Sequence, residues 1–244
     1  LASYDRAIEL KLNDAEVYSN RGLTLQELKK TDEALASYDR AITLKPDYAD
    51  AYSNRGLTLH KLNKLNEALA SYDRAITLKP DYAEAYFNRG NVLKDLKELN
   101  KAIESYDRAI ELKSDYAEAY FNRGLTLHKL NKLNEALTSF NRAIEFKPNI
   151  DFLLSYLLYT KMQLCIWDDF SQRLNELTKK IINDKKVAAP FSVLAFIDEP
   201  EIQRKTNEIY VKKECPIINV LPKIKHYPKH SKIRIGYFSA DFHN

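Results

Sequence analysis

Four acid and amide pairs recur along the chain: Glu16 with Asn20, Asp50 with Asn54, Glu84 with Asn88 and Glu118 with Asn122. A separation of four places both members of a pair on one helix face. A carboxamide offers donors and an acceptor together, so a row of them can hydrogen-bond the backbone of an extended peptide whatever its side chains. Carboxylates one turn away would favour segments rich in hydroxyl or basic groups. The same residue types also serve as plain surface on repeat helices, and the pairs alone leave both readings open.

The elements that must position these residues are repeated. The string YDRAI begins at Tyr4, Tyr38, Tyr72 and Tyr106, and FNRAI follows at Phe140, each 34 residues after the last. NRG recurs at the same interval, and four of the five glycines, Gly22, Gly56, Gly90 and Gly124, belong to it. A fixed period of this length means stacked supersecondary units. From Asp47 to Pro80, Tyr52, Gly56 and Leu59 lie on one face of a first helix. Ala68, Leu69, Tyr72, Ala75 and Ile76 form the apolar stripe of a second. The glycine lets the two backbones approach, and Pro80, lacking an N–H, ends the second helix. Each helix buries only a stripe, so the pair is expected to be antiparallel and to stack on its copies, with a concave face.

These spacings resemble the tetratricopeptide repeat, whose large, small, large, Ala, aromatic, Ala and Pro positions match Tyr52, Gly56, Leu59, Ala68, Tyr72, Ala75 and Pro80. Ser114 replaces the closing Pro once. Arg21, Arg55, Arg89 and Arg123 stand where the family often has Leu. We read them as structural, with Asp39, Asp73 and Asp107 as partners. Chaperone-binding members clamp a peptide carboxylate with Lys and Asn; two of those positions here read Ser53 with Leu57 and Phe87 with Asn91, so that clamp is not assembled. The chain opens on LASYDRAIELK, which aligns with Leu35 to Lys45 inside a second helix, and the expectation is of a cut start.

Composition narrows the classes. The first 148 residues carry 23 Lys and Arg against 23 Asp and Glu, and the remainder 15 against 11, which gives no dense basic face for nucleic acid. Lys179, Lys180, Lys185 and Lys186 read as a solvated helix end. No apolar run approaches the ~20 residues of a membrane span. Cys165 and Cys215 are too few for a disulfide framework, which favours a reducing, cytoplasmic setting.

After Pro148 the period persists without the Asn-Arg-Gly signature, and residues 149–186 read as a divergent capping pair with Trp167 at its bend, an aromatic expected in the core. Two short helices follow, the second opening near Asp198 with Pro200 in its first turn. A crossing rich in Pro and Lys completes 187–230. The segment 231–244 then alternates Ile233, Ile235 and Tyr237 around Gly236, as a buried strand would.

Taken together, three pieces resemble the O-linked N-acetylglucosamine transferases: Cys165, Trp167, Asp169, Phe170, Arg173, Leu174 and Leu177; Pro190 with Leu194; and RIGYFSADFHN, Arg234 to Asn244, which resembles the opening of that family's catalytic region. The resemblance implies a mostly α fold, a tetratricopeptide solenoid over 1–148, followed by a linker and the first strand of a truncated Rossmann-like glycosyltransferase domain. It implies UDP-N-acetylglucosamine as donor, Ser or Thr of extended polypeptides as acceptors, and no catalytic residue, cofactor or metal within this chain. Asn20, Asn54, Asn88 and Asn122 would hold the acceptor backbone, with Asp50, Glu84 and Glu118 touching its side chains. Asn122 and Glu118 would matter most, being nearest the catalytic domain. Asp241 and Asn244 would open the active-site loop. His243 falls at a variable position and inherits no role. A non-catalytic scaffold is the alternative.

Overall fold

The computed structural model describes residues 1–9 and 14–214, and among these residues every regular element is helical. After α1 (Ala2–Glu9) come four pairs: α2 (Ala15–Glu27) with α3 (Thr31–Leu44), α4 (Ala49–Lys61) with α5 (Leu65–Leu78), α6 (Ala83–Asp95) with α7 (Leu99–Leu112), and α8 (Ala117–Lys129) with α9 (Leu133–Phe146). A fifth pair is α10 (Leu153–Gln163) with α11 (Phe170–Ile182), and α12 (Pro190–Leu194) and α13 (Pro200–Glu214) follow. The strand expected within 231–244, with Asp241 and Asn244, lies outside the described residues.

The turn inside each pair has one construction. Lys29, Asn63, Lys97 and Asn131 sit in the left-handed region with φ between 58° and 66°. Behind each, the next N–H reaches back five residues, as from Lys64 to the Leu59 carbonyl at 2.9 Å. This closes the first helix and starts the second within a few residues. Cys165 and Asp184 repeat the device at φ 55° and 57°, ending α10 and α11.

Glycine has a more specific use than letting backbones meet. A Cβ built at Gly124 would stand 2.6 Å from Cε1 of Phe140, and one at Gly22 or Gly90 equally close to Tyr38 or Tyr106. The glycine is a slot for an aromatic ring of the second helix. These rings are fully buried and form the largest side chains of the repeat cores. The closing proline is not what stops the second helix, because α7, followed by Ser114, ends at the same repeat position as α5, followed by Pro80.

Neighbouring pairs are joined by arginine. Arg55 Nε donates to Asp39 Oδ1 at 2.7 Å and its Nη1 donates to Ser71 Oγ at 2.8 Å. Arg21, Arg89 and Arg123 do the same with Asp5 and Ser37, Asp73 and Ser105, and Asp107 and Ser139. Each guanidinium thus links the second helix of one unit to that of the next, a use of its fixed fork of donors. The aspartates were legible from the sequence; the serines were not singled out.

First helices α2, α4, α6, α8 and α10 touch one another in succession, whereas the second helices do not. A stack in contact along one row and spread along the other curves toward the contacting row. The inner face is therefore built from first helices, the ones that carry the acid and amide pairs. Trp167 departs from expectation: it is 54% exposed, leaning on the Phe170 ring at 5.0 Å, because the loop between α10 and α11 carries it outside the core.

Candidate functional site

The inner face carries the amide row at half-buried positions, one residue per first helix. Among the described residues the side chains of Asn20, Asn54 and Asn88 make no hydrogen bond, although their backbone groups are held within the helices. Helices in contact stand about 8–10 Å apart, and an extended chain advances about 3.3 Å per residue. A row of amides at that interval meets every third residue of an extended peptide running across the helices.

Asn122 differs from the other three. Its Nδ2 donates to Asn91 Oδ1 at 2.8 Å, and the same oxygen accepts from the Tyr106 hydroxyl at 2.8 Å. Asn122 keeps its own oxygen and one N–H for another partner. Asn91 was missed as a site residue, yet the sequence held a signal: the equivalent positions are Leu23, Leu57 and Leu125.

One of the acids is less available than its spacing suggests. Glu118 Oε1 accepts from Lys147 Nζ at 2.6 Å, and that bond, opposed by burial, holds its carboxyl below the usual range. Burial, with the negative charges of Asp50 and Glu84 nearby, pushes the Tyr82 phenol up to about 12. Glu118 is thus engaged with the following repeat's loop, whereas Glu16, Asp50 and Glu84 remain exposed. The same loops carry Lys45, Lys79 and Lys113, whose ammonium groups lie 5.2, 4.5 and 4.8 Å from the ring centroids of Tyr48, Tyr82 and Tyr116. A row of lysines beside the row of acids balances the charge along the rim of the groove.

Of the clamp positions named from sequence, those held by Ser53 and Phe87 offer no cation or open polar group. Ser53 is buried, and Phe87 packs on Tyr106 and Tyr116 at 6.1 and 5.0 Å between centroids. Beyond the fourth repeat the amide row stops, since α10 places Tyr156 there, packed against Phe121 and Phe140. Among the described residues no group of His, Cys, Asp or Glu could hold a metal ion, and no helix is long and apolar enough to cross a membrane.

Comparison with known proteins agrees with this architecture. A family model described as TPR repeat matches residues 25–63, 58–97 and 90–131, and one described as Tetratricopeptide repeat matches 117–150. Among solved structures, YrrB, titled a TPR protein with an unusual peptide-binding site, is 22% identical with a TM-score of 0.61, over 84% of this chain and 97% of its own. MamA is 23% identical with a TM-score of 0.60, over 65% of this chain and 95% of its own. A MamA from Desulfovibrio magneticus RS-1 is 17% identical with a TM-score of 0.61, over 68% and 93%. At such identities the likeness is one of fold. No curated protein matches the sequence significantly. With matches running through residues 25–150, a little over half of its length, the chain belongs to the tetratricopeptide-repeat family.

Proposed function

We propose that the inner groove is a polypeptide-binding scaffold that holds an extended segment by its backbone through Asn20, Asn54 and Asn88, with Asn122 at the end of the row. The observation that carries this is the row of half-buried amides left without partners beside a scaffold in which Arg21, Arg55, Arg89 and Arg123 are each satisfied by an aspartate and a serine. YrrB, a protein of the same fold, is described as having a peptide-binding site, which is consistent with such a use. A backbone-directed row predicts broad tolerance for side chains. Replacing both Asn54 and Asn88 with Ala should weaken binding of extended peptides by about tenfold or more, at about 1 kcal/mol per lost hydrogen bond. Unchanged affinity in a calorimetric titration, with the fold intact by circular dichroism, retires the reading.

A second reading adds a purpose to the groove. The segment RIGYFSADFHN and the pattern from Cys165 to Leu177 resemble the O-linked N-acetylglucosamine transferases. On that reading the repeats recruit acceptor proteins for transfer of N-acetylglucosamine from UDP to Ser or Thr in the cytoplasm. Residues 149–186 cap the array, 187–230 link, and 231–244 open the catalytic domain, with Asp241 and Asn244 in its first loop. The chain described is then the recruiting part and not the catalyst. Incubating the full-length gene product with UDP-N-acetylglucosamine and bound peptides decides it: a mass increase of one N-acetylhexosamine on Ser or Thr supports transfer, and none leaves the scaffold alone.

A further inference from the structure

The third repeat departs from its neighbours at one inward position. Residues 23, 57 and 125 are Leu, and residue 91 is Asn. Both lone pairs of Asn91 Oδ1 are used, by the Tyr106 hydroxyl and by Asn122 Nδ2. The oxygen is therefore fixed toward α7 and α8, and the amide NH2 faces the other way with no partner among the described residues. Asn88 stands three residues earlier on the same helix face. Asn122 contributes an unpartnered oxygen from the next helix. Within one repeat interval the groove thus presents oriented donors and an acceptor, and on either side it presents the half-buried Leu57 and Leu125.

We propose that Asn88, Asn91 and Asn122 form a polar subsite that takes a hydroxyl or carboxamide side chain of the bound segment, while Leu57 and Leu125 take apolar ones. This rests on the groove reading above and goes further, because a backbone-directed row alone sets no register. A Ser, Thr, Asn or Gln side chain can both accept from Asn91 and donate to Asn122. A Val or Leu side chain covering Asn91 would strand the two donors of an amide whose oxygen is already held by Tyr106 and Asn122. The subsite gives an otherwise permissive groove one position at which it reads sequence.

The chain supplies its own control. The second repeat has Leu57 with Tyr72 and the fourth has Leu125 with Phe140, so Asn91→Leu and the double variant Asn91→Leu/Tyr106→Phe rebuild residue combinations already present in repeats that fold. The probe is a set of 13-residue peptides in which Ser, Asn, Val or Leu is moved one position at a time, titrated against the wild-type chain and both variants. The wild type should prefer Ser or Asn over Val at one position by about tenfold, the scale of a buried donor left unsatisfied. Both variants should lose or invert that preference and keep the others. An unchanged preference profile in either variant overturns the subsite. Loss of all peptide binding in Asn54→Ala/Asn88→Ala, together with an unchanged profile in Asn91→Leu, keeps the groove and removes the subsite. No effect of Asn54→Ala/Asn88→Ala on any peptide removes the groove itself.

Discussion

At residue 124 a glycine leaves a slot for the Phe140 ring; 34 residues later Leu158 fills that place itself, fully buried. Other positions of α10 are exchanged as well. Where Arg123 bridges Asp107 and Ser139, Leu157 is buried instead, and where Leu127 is buried, Lys161 is. Where Asn122 opens on the groove, Tyr156 packs on Phe121 and Phe140. Yet the turn is the same, with Cys165 in the left-handed region as Asn131 is, and α10 touches α8 as α8 touches α6. Backbone plan and inward chemistry are thus separable: the final pair keeps the stacking and gives up the hydrogen-bonding face. The loss of the arginine has a counterpart on the preceding helix: α9 carries Asn141 where α7 carries Asp107, so no carboxylate waits there for a guanidinium from α10.

The comparison breaks most directly at the paired positions 124 and 158. Leu158→Ala removes a fully buried side chain and should cost about 2–5 kcal/mol in urea unfolding. Gly124→Ala adds a methyl into the Phe140 ring and should also destabilise, by less, since overpacking of about 1–3 kcal/mol is offset by about 1 kcal/mol of helix propensity. Opposite changes of size thus hurt at equivalent positions. If Leu158→Ala is tolerated or Gly124→Ala stabilises, the two pairs are not packed by opposite means.

Next in size is the charge buried in the final pair. Asp169 accepts from Lys161 and Arg173, and Lys161 is 9% exposed. Burial works against the charge of Asp169, but the bonds from Lys161 and Arg173 outweigh it and hold the carboxyl below its ordinary value. A folded-state pKa below the unfolded value of about 3.9 stabilises above that pH and is lost as pH falls through the folded value. Asp169→Asn should therefore cost about 1.5–3 kcal/mol at pH 7 and flatten the loss of stability below about pH 4. The repeats, whose Arg and Asp pairs are more exposed, should show the stronger sensitivity to salt. An unchanged acid limb in the variant rules out Asp169 as the source.

How much of this was legible follows from what a period can carry. Residues fixed at 34 intervals report on whatever recurs with the scaffold, so the helix pairs, the Arg and Asp partners and the inward row of amides could all be read. Contacts that occur once could not. Lys161 looks like an exposed turn of α10 until Asp169, eight residues on and past a bend, is folded beneath it. Trp167 looked like core because aromatic residues usually are, and one loop residue decides otherwise. Glycine was read as backbone contact because sequence does not show which neighbour enters the gap. Asn91 broke a row of leucines, but its bond to Asn122 depends on how adjacent units are stacked.

The smallest effect separates two tyrosines that the period treats as equal. Tyr106 donates to Asn91, whereas the buried Tyr72 hydroxyl, in a repeat that has Leu57 at the position of Asn91, has no partner among the described residues. Burial raises both phenols above their ordinary value, so neither ionises near neutral pH and the difference is one of hydrogen bonding. Tyr106→Phe gives up a bond and leaves one lone pair of Asn91 free, and should cost about 1 kcal/mol. Tyr72→Phe removes a polar atom that gains nothing from burial and should leave stability unchanged or raise it by up to about 1 kcal/mol. Phe140 already occupies the equivalent place in the fourth repeat, so the ring without its hydroxyl fits the glycine slot. Equal losses at both positions would mean that a buried water serves Tyr72. The polarity of the third repeat would then be a variation on a satisfied theme, and the bond from Tyr106 to Asn91 would no longer set that repeat apart.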